Sequence, residues 1–459
     1  MPPPLIRPYF RERVRTFFSP LFKRHKSLWF VPALYIIGAV VISRVVPYLP
    51  DGLLGGAALF SRSTTSTLLS TVASGMIAFT GFVFSMIFVM IQFGSSIYSP
   101  RLATFFLHDR VTRNALGIFI ATFIYALLTL TTSEQLLTGS KIDYAIILVL
   151  AGLLGSMALF LGLIQRLSLL QVSNILNEIG NRARQVIDEV YPHPYENEDG
   201  PSPHRDEDLP EASQTIHYHG GPAILQTIHF EALLRLAVRL KAVIEVEYAI
   251  GDTVADNAAL LTVYGGKRNI KKHEVRRLVH FGGQRSIEND PKYALRLIVD
   301  VAVRALSAGI NDPTTAVQAL DQLDDLLRLL GKRRLGSDDI LDKAGSLRVT
   351  YPAPDWEDFL SLSIDEVRYY GANSLQVTRR LRALLEDLLE DLPESRRHAV
   401  QAHLEHVDQS IMQHFDAIDR RQAKLADRQG IGVSRESEKS DQEEANHPDD
   451  SPPGESYGE

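Results

Sequence analysis

Four long apolar stretches crowd the first third of the chain, at about Trp29–Val46, Leu68–Phe93, Ala115–Leu130 and Ile142–Ile164. Each approaches the roughly 20 residues that an α-helix needs to cross a hydrocarbon core about 30 Å thick. None carries an ionisable side chain near its centre, where one costs roughly 3 kcal/mol or more. The remaining two thirds read as a water-soluble domain. The expected fold class is therefore a membrane α-helical domain of four transmembrane helices plus an α+β cytoplasmic domain, with a small β-rich, barrel-like module and a helical C-terminal region.

Basic residues set the expected orientation. Arg7, Arg11, Arg13, Arg15, Lys23, Arg24 and Lys26 precede the first stretch. Arg101, Arg110 and Arg113 follow the second, and Arg166, Arg182 and Arg184 follow the fourth. The other two loops offer Arg62 and Lys141, with Arg44 closing the first stretch. The positive-inside rule then places both termini and the soluble domain in the cytoplasm. Trp29 and Tyr144 suit interfacial anchors. Met1-Pro2-Pro3-Pro4 leads to no short apolar core with a small-residue cleavage site, so the first stretch reads as a retained anchor. The chain has no cysteine, which excludes disulfides and thiol chemistry, and its net charge is −7.

The pattern divides the chain into a basic amphipathic flank (1–26), the transmembrane domain (27–166), a stalk (167–190), a linker (191–212), a β-rich module (213–268), a helical domain (269–428) and a disordered acidic tail (429–459). In the flank, Phe10, Val14, Phe17 and Leu21 recur at helical spacing between Pro8 and Pro20, as in a helix lying in the headgroup layer. The plainer alternative is an unstructured basic segment. The second span extends to Tyr98 and stops at Ser99-Pro100, and a short helical hairpin is expected over Arg101–Asn114. The fourth span meets no proline until Pro192, and its apolar pattern runs on through Ile175, Ile179 and Val186. One helix of roughly 50 residues, ~75 Å long, would form a rigid stalk.

Thr67, Ser74, Ala78, Gly81, Ser85 and Gln92 share one face of the second span. Such a stripe lets helix backbones approach closely, or lines a narrow polar path. In the soluble part, strands are expected at Ala223–Ile228, Ala242–Glu247 and Ala259–Val263, with a helix over Phe230–Leu240. The pattern resembles the small barrels of lipoyl-type domains, but no lysine occupies the turns of Gly251–Val263, so no carrier role follows. Asp290-Pro291 and Asp312-Pro313 open helices, since Asp caps well and Pro suits the first turn. Further helices are expected over Trp356–Tyr370, Ser374–Leu392 and Glu394–Arg428. The polar tail from Ser434 buries too little to fold.

Three blocks resemble a bacterial family of predicted membrane proteins, domain of unknown function 2254. The first runs from Phe84-Ser85 through Ser99-Pro100-Arg101 to Tyr125. The second is Gly251-Asp252 with Val254 and Leu260. The third is Gly283-Gln284-Arg285, Glu288-Asn289-Asp290, Asp300 to Ser307, and Gly309 through Ala316 to Asp321. The resemblance implies four membrane helices and a cytoplasmic domain in a bacterial inner membrane, and brings no activity with it.

The third block holds the candidate ligand site: Arg285, Arg304, Asn311, Asp312, Thr314 and Thr315. Polar side chains at a helix start favour an anion through free N–H groups, although Asp312 itself opposes one. Asp300 and Arg304, four apart, can pair along a helix. The plain alternative is a capped turn with structural ion pairs. His403 and His406 have a spacing that metal ligands use, with Glu405 and His414 near, but they equally suit an exposed amphipathic helix. His217 and His219 would share one strand face. His273-Glu274 lacks a zincin's second histidine, because Arg277 stands there, and Gly265-Gly266-Lys267 lacks the spacing of a P-loop. No G-x-S-x-G elbow is present. No cofactor, metal, catalytic residue or nucleic-acid partner is therefore expected. The expected partners are the lipid bilayer, further copies of the chain, and a small ligand or protein at the cytoplasmic domain. The leading functional expectation is an oligomeric channel or transport-related protein regulated by that domain. The alternative is a membrane-anchored sensor or scaffold.

Overall fold

A computed structural model describes residues 30–50, 60–97, 110–136, 140–168, 171–195, 209, 211–266, 268–335 and 339–431. The amphipathic flank, most of the 101–114 hairpin, most of the linker and the acidic tail lie outside these residues. The chain forms two compact units that meet in sequence at Asn174/Ile175.

The first unit holds α1 (Phe30–Val45), continued by a 3-10 turn at Val46–Tyr48, then α2 (Arg62–Ile97), α3 (Arg110–Leu136) and α4 (Ser140–Ser168). These are the four helices long and apolar enough to cross a membrane among the described residues. The protein is thus a membrane protein with four candidate spans. Helix α3 packs on α1, α2 and α4. A β-carbon built on Gly117 of α3 would lie 2.5 Å from Tyr35 Cδ2, and one on Gly152 of α4 would lie 2.8 Å from Thr122 Oγ1. Glycine at these positions lets the helices approach closely. Phe79 of α2 meets Phe119 and Phe160 edge-on, with ring centroids 5.2 and 4.9 Å away. At the start of α4, the buried Asp143 accepts the Phe60 N–H at 3.2 Å.

The second unit begins with α5 (Val172–Val190), β1 (Ala212–His217), β2 (Ala223–Ile228), α6 (Phe230–Leu240), β3 (Ala242–Val246), β4 (Thr253–Val254) and β5 (Ala259–Gly265). It continues with α7 (Lys272–Leu278), β6 (Val279–Gly282), α8 (Pro291–Ala305), α9 (Pro313–Gly331), β7 (Asp339–Leu341) and β8 (Leu347–Thr350). Helices α10 (Trp356–Gly371), α11 (Leu375–Asp391), α12 (Glu394–His414) and α13 (Ala417–Ala423) complete it.

The strands make two open sheets, not the barrel-like module expected. One has the order β1-β5-β3-β8-β7 and the other β4-β2-β6. Because β2 pairs with β4 and β6, it does not bridge the edges β1 and β7, and nothing among the described strands closes the larger sheet. The β3–β8 pair is parallel, joining Ile244 to Val349 across about a hundred residues of sequence. Leu233, Leu236 and Leu240 of α6 pack on Ile244, Leu261, Val263 and Val349.

The helix expected to continue from the fourth span is broken by a bend at Gln171 before α5 starts at Val172, with α4 described to Ser168 and residues 169 and 170 outside the described residues. The apolar stripe that suggested continuity is used otherwise: Leu176, Ile179, Ala183 and Ile187 are buried within the second unit. Gln322 of α9 donates to Asn177 at 3.0 Å, and Arg184 reaches Asp325 at 2.6 Å. The last expected helix likewise breaks in two. Asp416 accepts from the N–H groups of Ile418 and Asp419, starting α13 afresh after Phe415.

Candidate functional site

The Asn311-Asp312-Pro313 turn joins α8 to α9. Asn311 has φ 49°, a left-handed conformation that asparagine tolerates better than most residues. Its N–H donates to Ser307 O at 2.9 Å, and the Asp312 N–H donates to Ala305 O at 2.8 Å. Asp312 accepts the Thr315 N–H at 3.1 Å and the Thr315 hydroxyl at 2.6 Å. Cap and threonine therefore occupy one another, as in an ordinary helix start. Asn311 and Thr314 are exposed. Arg304 lies in the last turn of α8, and its carbonyl accepts from Ser307.

Arg285 belongs to a different place. Its Nε donates to Gly251 O at 2.8 Å, beside Asp290, the cap of α8. Gly251 has φ 99°, and a β-carbon there would sit 2.6 Å from Asp290 Oδ2. Leu225 and the Gly251-Asp252 turn exchange backbone hydrogen bonds of 2.8 and 3.0 Å. The second and third sequence blocks thus meet at a tight junction between sheet and helix. Burial pushes the Asp290 carboxyl up, opposed by the Tyr293 N–H it accepts and by nearby Arg285. Since α8 has 15 residues, its two ends are about 22 Å apart at 1.5 Å per residue. The structure does not bring Arg285 together with Asn311, Asp312, Thr314 and Thr315.

Asp300 accepts from Arg296 at 2.6 Å, and Arg296 spans to Glu366 on α10. In the larger network on α9 and α11, local spacing announces only the Asp324–Arg328 pair, four residues apart; its links between the two helices carry no such sign. Buried Arg380 reaches Asp321 at 2.7 Å and Asp324 at 2.8 Å, while Arg328 meets Asp324, Asp387 and Asp391. Burial works against the charge of Arg380, and the two carboxylates outweigh it and raise its pKa.

His217 ends β1 and approaches Asn257 O, whereas His219 lies beyond the strand, so the two share no strand face. His403 and His406 do share a helix face, but His403 is buried. Asp365 of α10 stands beside them, and His403 holds its carboxyl below the usual range. Helical spacing exposes the histidine pair in the sequence; it gives no sign of Asp365, which comes from another helix.

In the first unit, Thr67, Ser74, Ala78, Gly81, Ser85 and Gln92 are all exposed. At about 100° per residue they lie about 160° around α2 from the buried Thr65, Leu69, Ala73, Met76, Val83 and Ile87. A β-carbon on Gly81 would meet nothing within 4 Å. The stripe is therefore not the seam between helices of one chain; Gly117 and Gly152 serve there. An apolar groove of about 450 Å³ lies next to the stripe, lined by Ile77, Thr80, Gly81, Phe84, Leu116, Ile120 and Phe123.

The family described as "Predicted membrane protein (DUF2254)" matches residues 25–387. The chain is also similar to uncharacterized proteins of Mycobacterium bovis and Mycobacterium tuberculosis H37Rv, 28% identical to each over 419 residues, covering 86% of this chain and 78% of each relative. A protein of Mycobacterium tuberculosis CDC 1551 is 27% identical over the same length. No solved structure matches the chain. With four candidate spans and a family match across most of its length, the chain belongs to the DUF2254 family of predicted membrane proteins.

Proposed function

We propose that the protein is an oligomeric channel or transport-related protein of the bacterial inner membrane, with both termini and the second unit in the cytoplasm, where that unit regulates it. The observation carrying this reading is the outward stripe of α2. Helices α1 and α4 expose Leu34, Ile37, Val41, Leu154, Met157 and Leu161, bulky aliphatics suited to lipid tails. Helix α2 exposes Ile77, Phe82, Phe84, Phe88 and Val89 as well, but beside them it also turns Thr67, Ser74, Ser85 and Gln92 away from its own bundle. Thr67 softens the cost by donating to Ser63 O at 2.9 Å, but an amide such as Gln92 gains more from a polar partner or water than from lipid. Four helices enclose little space, so a conducting path requires several copies with their α2 stripes around one axis.

One observation favours the alternative, a membrane-anchored sensor or scaffold. A bend at Gln171 breaks the helix expected to run on from the fourth span. The absence of cysteine makes the test clean. Ser74→Cys and Ser85→Cys are expected to cross-link copies, while Ile37→Cys and Leu154→Cys do not, and purified protein should conduct in planar bilayers with block by thiol reagents at Ser74→Cys. Cross-linking without conductance favours the scaffold; no cross-linking at either serine position overturns the oligomer.

A further inference from the structure

We propose that Asp365, His403 and His406 form a binding site for a divalent first-row transition metal ion, with zinc as its representative. One ligand atom from each of the three residues lies within 4.8 Å of the other two. His403 Nδ1 is 3.4 Å from Asp365 Oδ1. Ligands of a tetrahedral zinc ion stand about 3.4 Å apart, given bonds of about 2.0–2.1 Å. The first pair thus has metal-ligand separation already, and exposed His406 needs only a side-chain rotation to close on them.

Three features distinguish this cluster from a chance meeting of polar surface groups. His403 is only 8% exposed, and its Nδ1 has no hydrogen-bond partner of proper geometry although it faces the carboxylate. Its other nitrogen, Nε2, is 3.5 Å from Ser361 Oγ, one turn before Asp365 on α10. With a metal on Nδ1 in place of the proton it now turns to Asp365, Nε2–H would donate to that hydroxyl, the usual outer-shell arrangement for a ligating histidine. The neighbouring carboxylates are already engaged, Glu366 by Arg296 and Asp408 by Arg382, which leaves Asp365 to the histidines. Arg368, also near Asp365, opposes a cation and sets a limit on affinity. Two imidazoles and one carboxylate suit zinc or its first-row neighbours better than magnesium or calcium, and leave open positions for water. Bound there, the ion would tie α10 to α12.

The test uses the full chain in detergent, stripped with a chelator, with zinc uptake followed by equilibrium dialysis and cobalt uptake by its visible absorption. The expected result is one zinc per chain, not displaced by magnesium. His406→Ala and Asp365→Asn should each weaken binding by about tenfold or more and abolish the cobalt bands, with Ser361→Ala giving a smaller loss. His414→Ala, whose ring is turned to Ser410 O, should bind as the parent does. Unchanged melting of the metal-free variants shows that lost binding is not lost folding. No zinc uptake by the parent chain, or parent-like uptake by both His406→Ala and Asp365→Asn, overturns the site.

Discussion

The two units are both built largely from packed helices, and they hold those helices together by different means. In the membrane unit the contacts are steric: Gly117 against Tyr35, Gly152 against Thr122, and Phe79 between Phe119 and Phe160. In the second unit α9 and α11 are joined by layers of leucine, including Leu320, Leu323, Leu384 and Leu388, and by a chain of ion pairs centred on Arg380 and Arg328. The difference follows from the solvent. Lipid tails are as apolar as leucine, so burial gains little there and close backbone approach must serve. In water, leucine burial drives association, and long charged side chains can pair across its rim.

That contrast can be broken most strongly at Arg380. Arg380→Met takes the buried partner from Asp324, which keeps Arg328, and from the half-exposed Asp321, and a loss of about 2–3 kcal/mol is expected, measured by denaturant unfolding of the second unit's signal. A loss below about 1 kcal/mol would mean that the leucine layers hold α9 and α11 unaided.

The membrane side is sharpened by a pair of matched substitutions. Gly117→Leu drives side-chain atoms into Tyr35 and should cost about 1–3 kcal/mol, with a lower melting temperature in detergent. Gly81→Leu meets open space, so it should leave the melting of the single chain alone and reduce oligomer size. Equal melting losses in both would show that the outer face of α2 is packed within one chain.

A smaller effect is expected at the α8–α9 turn. Asp312→Ala removes the bonds to Thr315 and should cost about 1 kcal/mol. If the turn is only a cap, any functional change tracks that loss.

The smallest is a surface pair with a pH signature. Arg268, then the Lys271 N–H, hold Glu274 at a pKa of about 2, below the ordinary 4.5. A depressed carboxylate stabilises the fold above its unfolded pKa and loses that contribution as pH falls. Glu274→Gln should therefore cost roughly 0.5 kcal/mol at neutral pH, with the difference from the parent chain vanishing between about pH 4.5 and 2. A constant difference across that range would assign the effect to packing instead.

Much of this architecture follows from local pattern. The length and polarity of the apolar runs are enough to require four spans, because no other use of so much apolar helix suits water. Asp290-Pro291 and Asp312-Pro313 mark the starts of α8 and α9 because capping acts within one turn. The α2 stripe was visible for the same reason, since helical periodicity alone puts Thr67 and Ser85 on one face.

Which face met which partner was decided only in three dimensions. The stripe that suited a helix seam points outward, because Gly117 and Gly152 gave α3 closer neighbours. The apolar pattern beyond Ser168 fitted a free stalk and a docked helix equally well, and docking on α9 buries it. The parallel pairing of β3 with β8, the separation of Arg285 from Asn311, and the arrival of Asp365 beside His403 all depend on contacts between distant segments. Sequence periodicity reports a residue's direction from its own backbone; it carries no record of what lies on the other side, which the packing of the whole chain alone supplies.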